Sequence, residues 1–155
     1  MPLVRRAVAE DAEELVRLRK IMLDSMNPSS DTSWQSATTE TLRAHLADAQ
    51  SELAAFVVDA PTGDGRLAAC AAGVMHRGLG SPGNPFGLSG HVSNVCTDPE
   101  YRHRGFSRAC MEALLGWYRD RDVRRIDLHA TVQGEPLYTS LGFVRTPAPS
   151  MRLTL

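Results

Sequence analysis

Long apolar runs are missing from this sequence. No stretch approaches the roughly 20 consecutive apolar residues that cross a bilayer, and the start of the chain shows no charged leader followed by a hydrophobic segment. Neither a membrane span nor a secretory signal is therefore expected. Charge of one sign is missing too. Seventeen Lys and Arg against 18 Asp and Glu leave a net −1, which removes any global pull toward nucleic acid or acidic lipid and makes any anion site a local one. Cysteine is scarce: Cys70, Cys96 and Cys110 are odd in number, far apart and set in apolar runs. That pattern is expected of reduced, buried thiols in a cytoplasmic protein, not of a disulfide framework. No Cys or His pair has ligand spacing, so no metal site is expected. Repeats, low-complexity tracts and composition breaks are also lacking. The 155 residues are expected to form one domain, residues 1–155, large enough to bury roughly two-thirds of the unfolded surface.

What is present is a regular alternation of strand and helix signals. Leu3 to Val8 reads as a short first strand. Asp11-Ala-Glu-Glu14 has the form of a capping box opening a helix over 11–25, with Leu15, Leu18 and Met22 on one face. A polar loop carrying Trp34 follows, then a second helix capped near Thr38 or Thr39 that presents Leu42, Leu46 and Ala49. Leu53 to Asp59 and Leu67 to His76 read as strands joined by the turn Pro61-Thr-Gly-Asp-Gly65. Arg77 to Gly90, with five glycines and two prolines in fourteen residues, reads as one long loop of the kind that is often functional. Beyond it come a strand from about His91 to Thr97, a helix from about Gly105 to Arg119, a charged turn, and a strand over Arg125 to Thr131. A short helix opened by Gly134-Glu-Pro136 and stopped by Gly142 follows. Phe143 to Arg145 and Met151 to Leu155 read as last strands, parted by Pro147 and Pro149. This order predicts an α/β (α+β) fold, a mixed central sheet of about six to seven strands with about four helices.

The stretch from Val92 to Met111 organises the rest. Asp98-Pro99 ends a strand, because Pro cannot donate to a ladder and disfavours helical geometry before it. Phe106, Ala109, Cys110, Ala113, Leu114 and Trp117 then keep helical spacing. Between strand and helix lies Arg102-His103-Arg104-Gly105-Phe106-Ser107. A helix start has unpartnered amides and the positive end of the macrodipole, Gly105 allows close backbone approach, and Arg102 and Arg104 add cationic donors. The segment is suited to a diphosphate; a plain surface turn is the competing reading.

Arg102-x-x-Gly105-x-Ser107, after a strand and before a helix, resembles the acyl-CoA pyrophosphate loop of the GCN5-related N-acetyltransferases, whose usual form ends in Gly or Ala where Ser107 stands. A second match lies near the C-terminus: Gly134-Glu-Pro-Leu-Tyr138-Thr-Ser-Leu-Gly-Phe143 resembles the closing signature of that family, Leu-Tyr followed three residues later by Gly-Phe, and with Leu128-His-Ala-Thr131 it is similar to a bacterial branch. The resemblance implies the family fold and acetyl-CoA as cosubstrate. It implies CoA contacts at Val95, Cys96 and Thr97 along the splayed strand, at Arg102, His103, Arg104, Gly105, Phe106 and Ser107 in the loop, and at Tyr138, the general acid toward the CoA sulfur. Proton donation from a phenol of pKa ~10 to a thiolate of ~8.5 is uphill by roughly 2 kcal/mol, which a late transition state tolerates.

An amine of pKa ~10.4 carries a deficit of roughly 4.6 kcal/mol at neutral pH before it can attack, so a proton acceptor is needed. His129 is the first candidate, His91 and Glu135 follow, and a water relay is the alternative. Asn94 and His91 are candidate substrate contacts. Trp34, with Phe86 and Arg77, is a candidate wall of the acceptor site on loops 25–36 and 77–90. Cys96 as a covalent nucleophile is disfavoured, since it sits on a core strand with no base beside it.

The expected function is acetyl transfer from acetyl-CoA to a primary amine of a small molecule, by direct attack in a ternary complex. A catalytically silent CoA-binding module and a protein or peptide N-acetyltransferase are the alternatives. Neither nucleic acid nor membrane is an expected partner. Homodimers are common in the family the chain resembles, but no interface can be read from the residues.

Overall fold

The computed structural model describes residues 2–155. Five strands form one sheet in chain order: β1 (Arg5–Arg6), β2 (Leu53–Asp59), β3 (Leu67–Arg77), β4 (Leu88–Thr97) and β5 (Ile126–Asp127). The first four run antiparallel, and β5 joins β4 in parallel. The helices are α1 (Ala12–Met26), α2 (Gln35–Ala47), α3 (Phe106–Asp120) and α4 (Glu135–Ser140). This is the mixed sheet with helices that the element order predicts, with five strands instead of six to seven.

The period-2 alternation of the strands assigns one helix to each face. α1 lays Leu15 and Leu18, with half-buried Ile21 and Met22, on Ala55, Val57, Cys70, Ala72 and Cys96. On the other face α3 sets Cys110, Met111, Leu114 and Tyr118 against Ala54, Val58, Ala69, Ala71, Met75 and Val92. β3 is buried from Leu67 through Gly73; its alanines carry so little bulk that both helices can close on it. Gly73 and Gly90 have a packing role. A Cβ on Gly73 would lie 2.2 Å from the Tyr118 hydroxyl, and one on Gly90 would lie 2.6 Å from the Tyr118 ring. The phenol fills that space and shares its hydroxyl between the carbonyls of Val74 and His91, at 3.0 and 3.2 Å.

Several boundaries differ from the sequence expectation. Asp11 does not cap α1; its carboxylate accepts from the Val8 amide and from the Arg5 guanidinium, tying β1 to the helix start. Glu14 takes the Leu67 amide and Arg17 instead of closing a capping box. α2 begins at Gln35, so Thr38 and Thr39 lie inside it and bond back to Trp34 and Gln35 carbonyls. β4 begins at Leu88, which shortens the long loop, because the Gly78 amide donates to the Gly87 carbonyl and zips the hairpin. β1 and β5 keep two residues each.

The two C-terminal strands are absent. Residues 144–155 are exposed throughout and, among the described residues, make no backbone-to-backbone hydrogen bond. Their alternation is intact, but an alternating pattern becomes a strand only when a neighbouring edge accepts its donors.

Candidate functional site

β4 pairs with β5 only at Gly90–Ile126 and His91–Asp127. Beyond that point β4 carries an extra residue: Val92 stands opposite Gly73, Asn94 opposite Ala72, and Ser93 is the bulge between them. A bulge bends its strand and increases its twist, so β4 leaves β5 and a cleft opens. The Arg19 guanidinium donates to the Ser93 carbonyl at 3.1 Å and holds the bulge against α1.

The ladder decides which amides face the cleft. The Gly90 amide donates to the Arg125 carbonyl on the β5 side, whereas past the bulge the Asp98 amide donates to Ala68 on the β3 side, both at 2.8 Å. Alternation then turns Asn94 and Cys96 toward β3, and Val95 and Thr97 toward the cleft. Of the three strand residues expected to meet CoA, Val95 and Thr97 thus turn main-chain groups to the cleft and Cys96 turns its own to β3. Cys96 is buried, and burial pushes its thiol up to about 11.

At the end of β4 the Asp98 carboxylate accepts the Glu100 amide and starts a single 3-10 turn over Pro99–Tyr101. His103 and Gly105 then both adopt left-handed geometry, φ 64° and 77°, which aims the following amides outward. The first helical bond of α3 runs from the Ala109 amide to the Gly105 carbonyl at 3.1 Å. Among the described residues, the amides from His103 to Arg108 meet no protein acceptor, and no acidic residue sits in the first turn. A Cβ built on Gly105 meets nothing within 4 Å. Arg102 and Arg104 are exposed at the rim, Arg104 over the Tyr101 ring at 5.5 Å. The Ser107 hydroxyl bonds the Thr97 hydroxyl, so the side chain that departs from the usual Gly or Ala is engaged within the protein and joins the helix start to the strand end. Free amides, open space and two cations fit a diphosphate.

Tyr138 stands on α4 with its ring edge-on to Phe143, centroids 6.0 Å apart, and so near Gly134 that a Cβ there would lie 3.0 Å from the ring. Val95, Phe106 and Tyr138 pack on the same apolar cluster. Its hydroxyl has no protein partner among the described residues, and burial raises its pKa. The phenol therefore stays protonated through the neutral range and can donate to an incoming acceptor.

His91 and His129 are brought together edge to face, ring centroids 5.7 Å apart and planes at 64°. Burial is the main cause that holds His91 below the ordinary imidazole value, with His129 and His76 adding to it and Asp127 opposing. Asn94 lies elsewhere: it is 5% exposed, its amide donates to Cys70 Sγ at 3.3 Å and its Oδ1 has no partner. The Trp34 indole donates to the Asp31 carbonyl of its own loop. Arg77 is paired with Glu52 at 2.8 Å, and Phe86 is 82% exposed.

Three contributors escaped the sequence reading. Arg19 and the Ser93 bulge left no local signal, since nothing in Val-Ser-Asn marks an extra residue. Tyr118, the wedge under the two strands, could have been suspected from glycines inside strand patterns at 73 and 90.

Among the described residues no group of three His, Cys, Asp or Glu could hold a metal ion, and no helix is long and apolar enough to cross a membrane. No curated protein matches the chain. Among solved structures, a predicted acetyltransferase from Clostridium acetobutylicum with acetyl-CoA superposes with a TM-score of 0.84 at 23% identity, covering 99% of this chain and 96% of that one. A GCN5-related N-acetyltransferase from Ralstonia eutropha gives 0.83 at 24% identity, covering 99% of each. Glucosamine-6-phosphate N-acetyltransferase from Arabidopsis thaliana gives 0.75 at 14%, covering 99% and 98%. Those likenesses carry the fold. A sequence model of the acetyltransferase (GNAT) family matches residues 15–143, from α1 through the cleft to Phe143, and the chain belongs to that family.

Proposed function

We propose that this acetyltransferase moves an acetyl group from acetyl-CoA to a primary amine of a small molecule, by direct attack with both substrates bound. One observation carries the reading: an unpaired strip of main-chain amides runs from Val95 and Thr97 on β4 to the start of α3. It is flanked by Arg102 and Arg104. Bound there, acetyl-CoA would supply the thioester whose carbonyl carbon is attacked and whose sulfur leaves. That the Clostridium relative was crystallised with acetyl-CoA and the Arabidopsis relative is a glucosamine-6-phosphate N-acetyltransferase supports both the cosubstrate and the small-molecule acceptor.

The residues divide the work. The α3 amides with Arg102 and Arg104 hold the diphosphate, and Ser107 keeps the helix start fixed to Thr97. The Val95 amide is placed to stabilise charge on a carbonyl oxygen in the cleft. Tyr138 donates a hydrogen bond to the departing sulfur. Its raised pKa makes complete proton transfer costlier than the roughly 2 kcal/mol expected of an ordinary phenol, so the hydrogen bond contributes more than full transfer does. The His91–His129 pair receives the amine proton: His91, held neutral at neutral pH, is ready to accept it, and His129 is its immediate neighbour.

Tyr138→Phe tests this assignment. Turnover should fall about 10- to 100-fold while affinity for acetyl-CoA stays within about twofold; unchanged turnover removes Tyr138 from the chemistry. Base duty has its own readout. The acid limb of the rate profile should lie below pH ~6.5, and His129→Gln should move it upward by removing the neighbour that depresses His91. An amine panel followed by thiol release identifies the acceptor; if the chain binds CoA and no amine in the panel promotes thiol release, it is a binding module instead.

A further inference from the structure

The cleft between β4 and β5 is a gap in the sheet, and the side chains around it divide between the two faces. Val95, Phe106 and Tyr138 pack on the cluster beneath α3. Gly90 and Val92 face Tyr118 and that same cluster, so alternation turns His91, between them, to the face that α1 covers. His129 meets it there. On the acyl-transfer reading, on which this inference rests, the cosubstrate is held from the α3 side and the amine approaches from the α1 side.

Arg19 brings a cation to that side. It stands between Leu15 and Met22 at helical spacing, on the surface α1 turns to the sheet, and it is half-buried. Its Nη1 donates to the Ser93 carbonyl at 3.1 Å. The other half-buried arginines are answered within the protein: Arg5, Arg17 and Arg43 each bond two carboxylates, and Arg121 lies over the Trp117 ring. Among the described residues no carboxylate pairs with Arg19, because the acids of its own helix are engaged elsewhere, Glu13 with Arg43, Glu14 with Arg17 and Asp24 with Lys20.

A guanidinium partly withdrawn from water without a counter-charge is costly, and its planar fork matches the paired oxygens of a carboxylate or phosphate. Ser93 is two residues from His91, roughly 7 Å of strand. An amine beside His91 and an anion on Arg19 therefore belong to one small molecule, with a few bonds between them. We infer that Arg19 selects the acceptor, and that the acceptor is an anionic amine whose carboxylate or phosphate oxygens take the free part of the fork. Polycationic amines are rejected at the same place by like-charge repulsion.

The test compares matched amines by thiol release, and by calorimetry on the CoA-bound protein: α-amino acids against their α-amides, glucosamine-6-phosphate against glucosamine, and spermidine as the polycation. The two kinds of pair separate a carboxylate from a phosphate. In at least one pair the anionic member should have a kcat/KM about 30-fold above its partner, and spermidine should be the poorest acceptor. Arg19→Gln should bring that ratio to within about threefold, mainly through KM, and Arg19→Lys should restore part of it. The ratio is taken within each variant, so any loosening of the Ser93 bulge cancels. Preference for the amides, glucosamine or spermidine overturns the inference, as does a ratio that Arg19→Gln leaves unchanged. Calorimetry separates it from the acyl-transfer reading. Anionic members that bind through Arg19 without thiol release keep it and sink acyl transfer, whereas failure of every anionic member to bind or react overturns it.

Discussion

Helices α1 and α3 have the same length, 15 residues, and cover opposite faces of one sheet, yet they begin in opposite ways. α1 opens with Glu13 and Glu14 after a buried Asp11, so its own acids answer the positive end of its dipole. Glu14 also takes the Leu67 amide, and Arg17 links it to Asp98. α3 opens without an acid, without a side-chain cap and with arginines around it. One start is sealed by the fold, and the other is left open. Helix starts whose electrostatics the protein does not complete are where an anion adds the missing part.

The contrast can be broken by making α3 begin as α1 does. Ser107→Glu places a carboxylate at the second helical position, where α1 has Glu13. Affinity for acetyl-CoA, read by calorimetry, should fall about 30-fold or more, roughly 2 kcal/mol. The unliganded protein should melt within a few degrees of the natural one, because an acid at a helix start contributes about 0.3–1 kcal/mol and offsets the lost Thr97 bond. Equal affinity would move the diphosphate elsewhere.

A smaller effect comes from unsealing α1. Glu14→Gln should cost about 1–2 kcal/mol in denaturant unfolding, the worth of a charge-assisted pair and a bonded buried amide, with acetyl-CoA affinity unchanged. Burial alone would raise the Glu14 and Asp98 carboxyls, but Arg17 and the amides of Leu67 and Glu100 outweigh it and hold both below the usual range. A carboxylate whose folded pKa lies below its unfolded value of about 4 stabilises fully above about pH 5 and loses that contribution as pH falls through the folded value. The deficit of Glu14→Gln should therefore shrink on acidification and vanish once the pH has fallen below the folded value. The smallest change is Gly105→Ala. Nothing lies near the added methyl group, so the cost is only that of holding a Cβ at φ 77°, about 1 kcal/mol, shared between folding and CoA affinity.

Two parts of the cleft wall can be read from the sequence. The loop from Arg102 to Ser107 and the tyrosine at 138 are local signals, because a helix start, a glycine and a charged pair act within a few residues of one another. Asn94 was harder to place. As a polar residue on the central strand it reads equally as a substrate contact or as an inward polar residue; one extra residue at Ser93 changes which way the strand faces, and Asn94 lies buried beside Cys70. A bulge depends on the partner strand, so sequence alone carries no trace of it. The last two strands failed for the same reason in reverse: Met151 to Leu155 have the pattern, but among the described residues no strand edge pairs with it.

Apolar spacing, turn residues and a basic glycine loop were enough to determine most of the order of elements, the mixed sheet and the open, basic start of α3, since each depends on forces acting between near neighbours in the chain. Only the tertiary structure decided where β4 parts from β5, which amides face the cleft and which histidines touch. Those follow from pairing register and from Tyr118 wedged beneath Gly73 and Gly90, contacts between residues far apart in the chain.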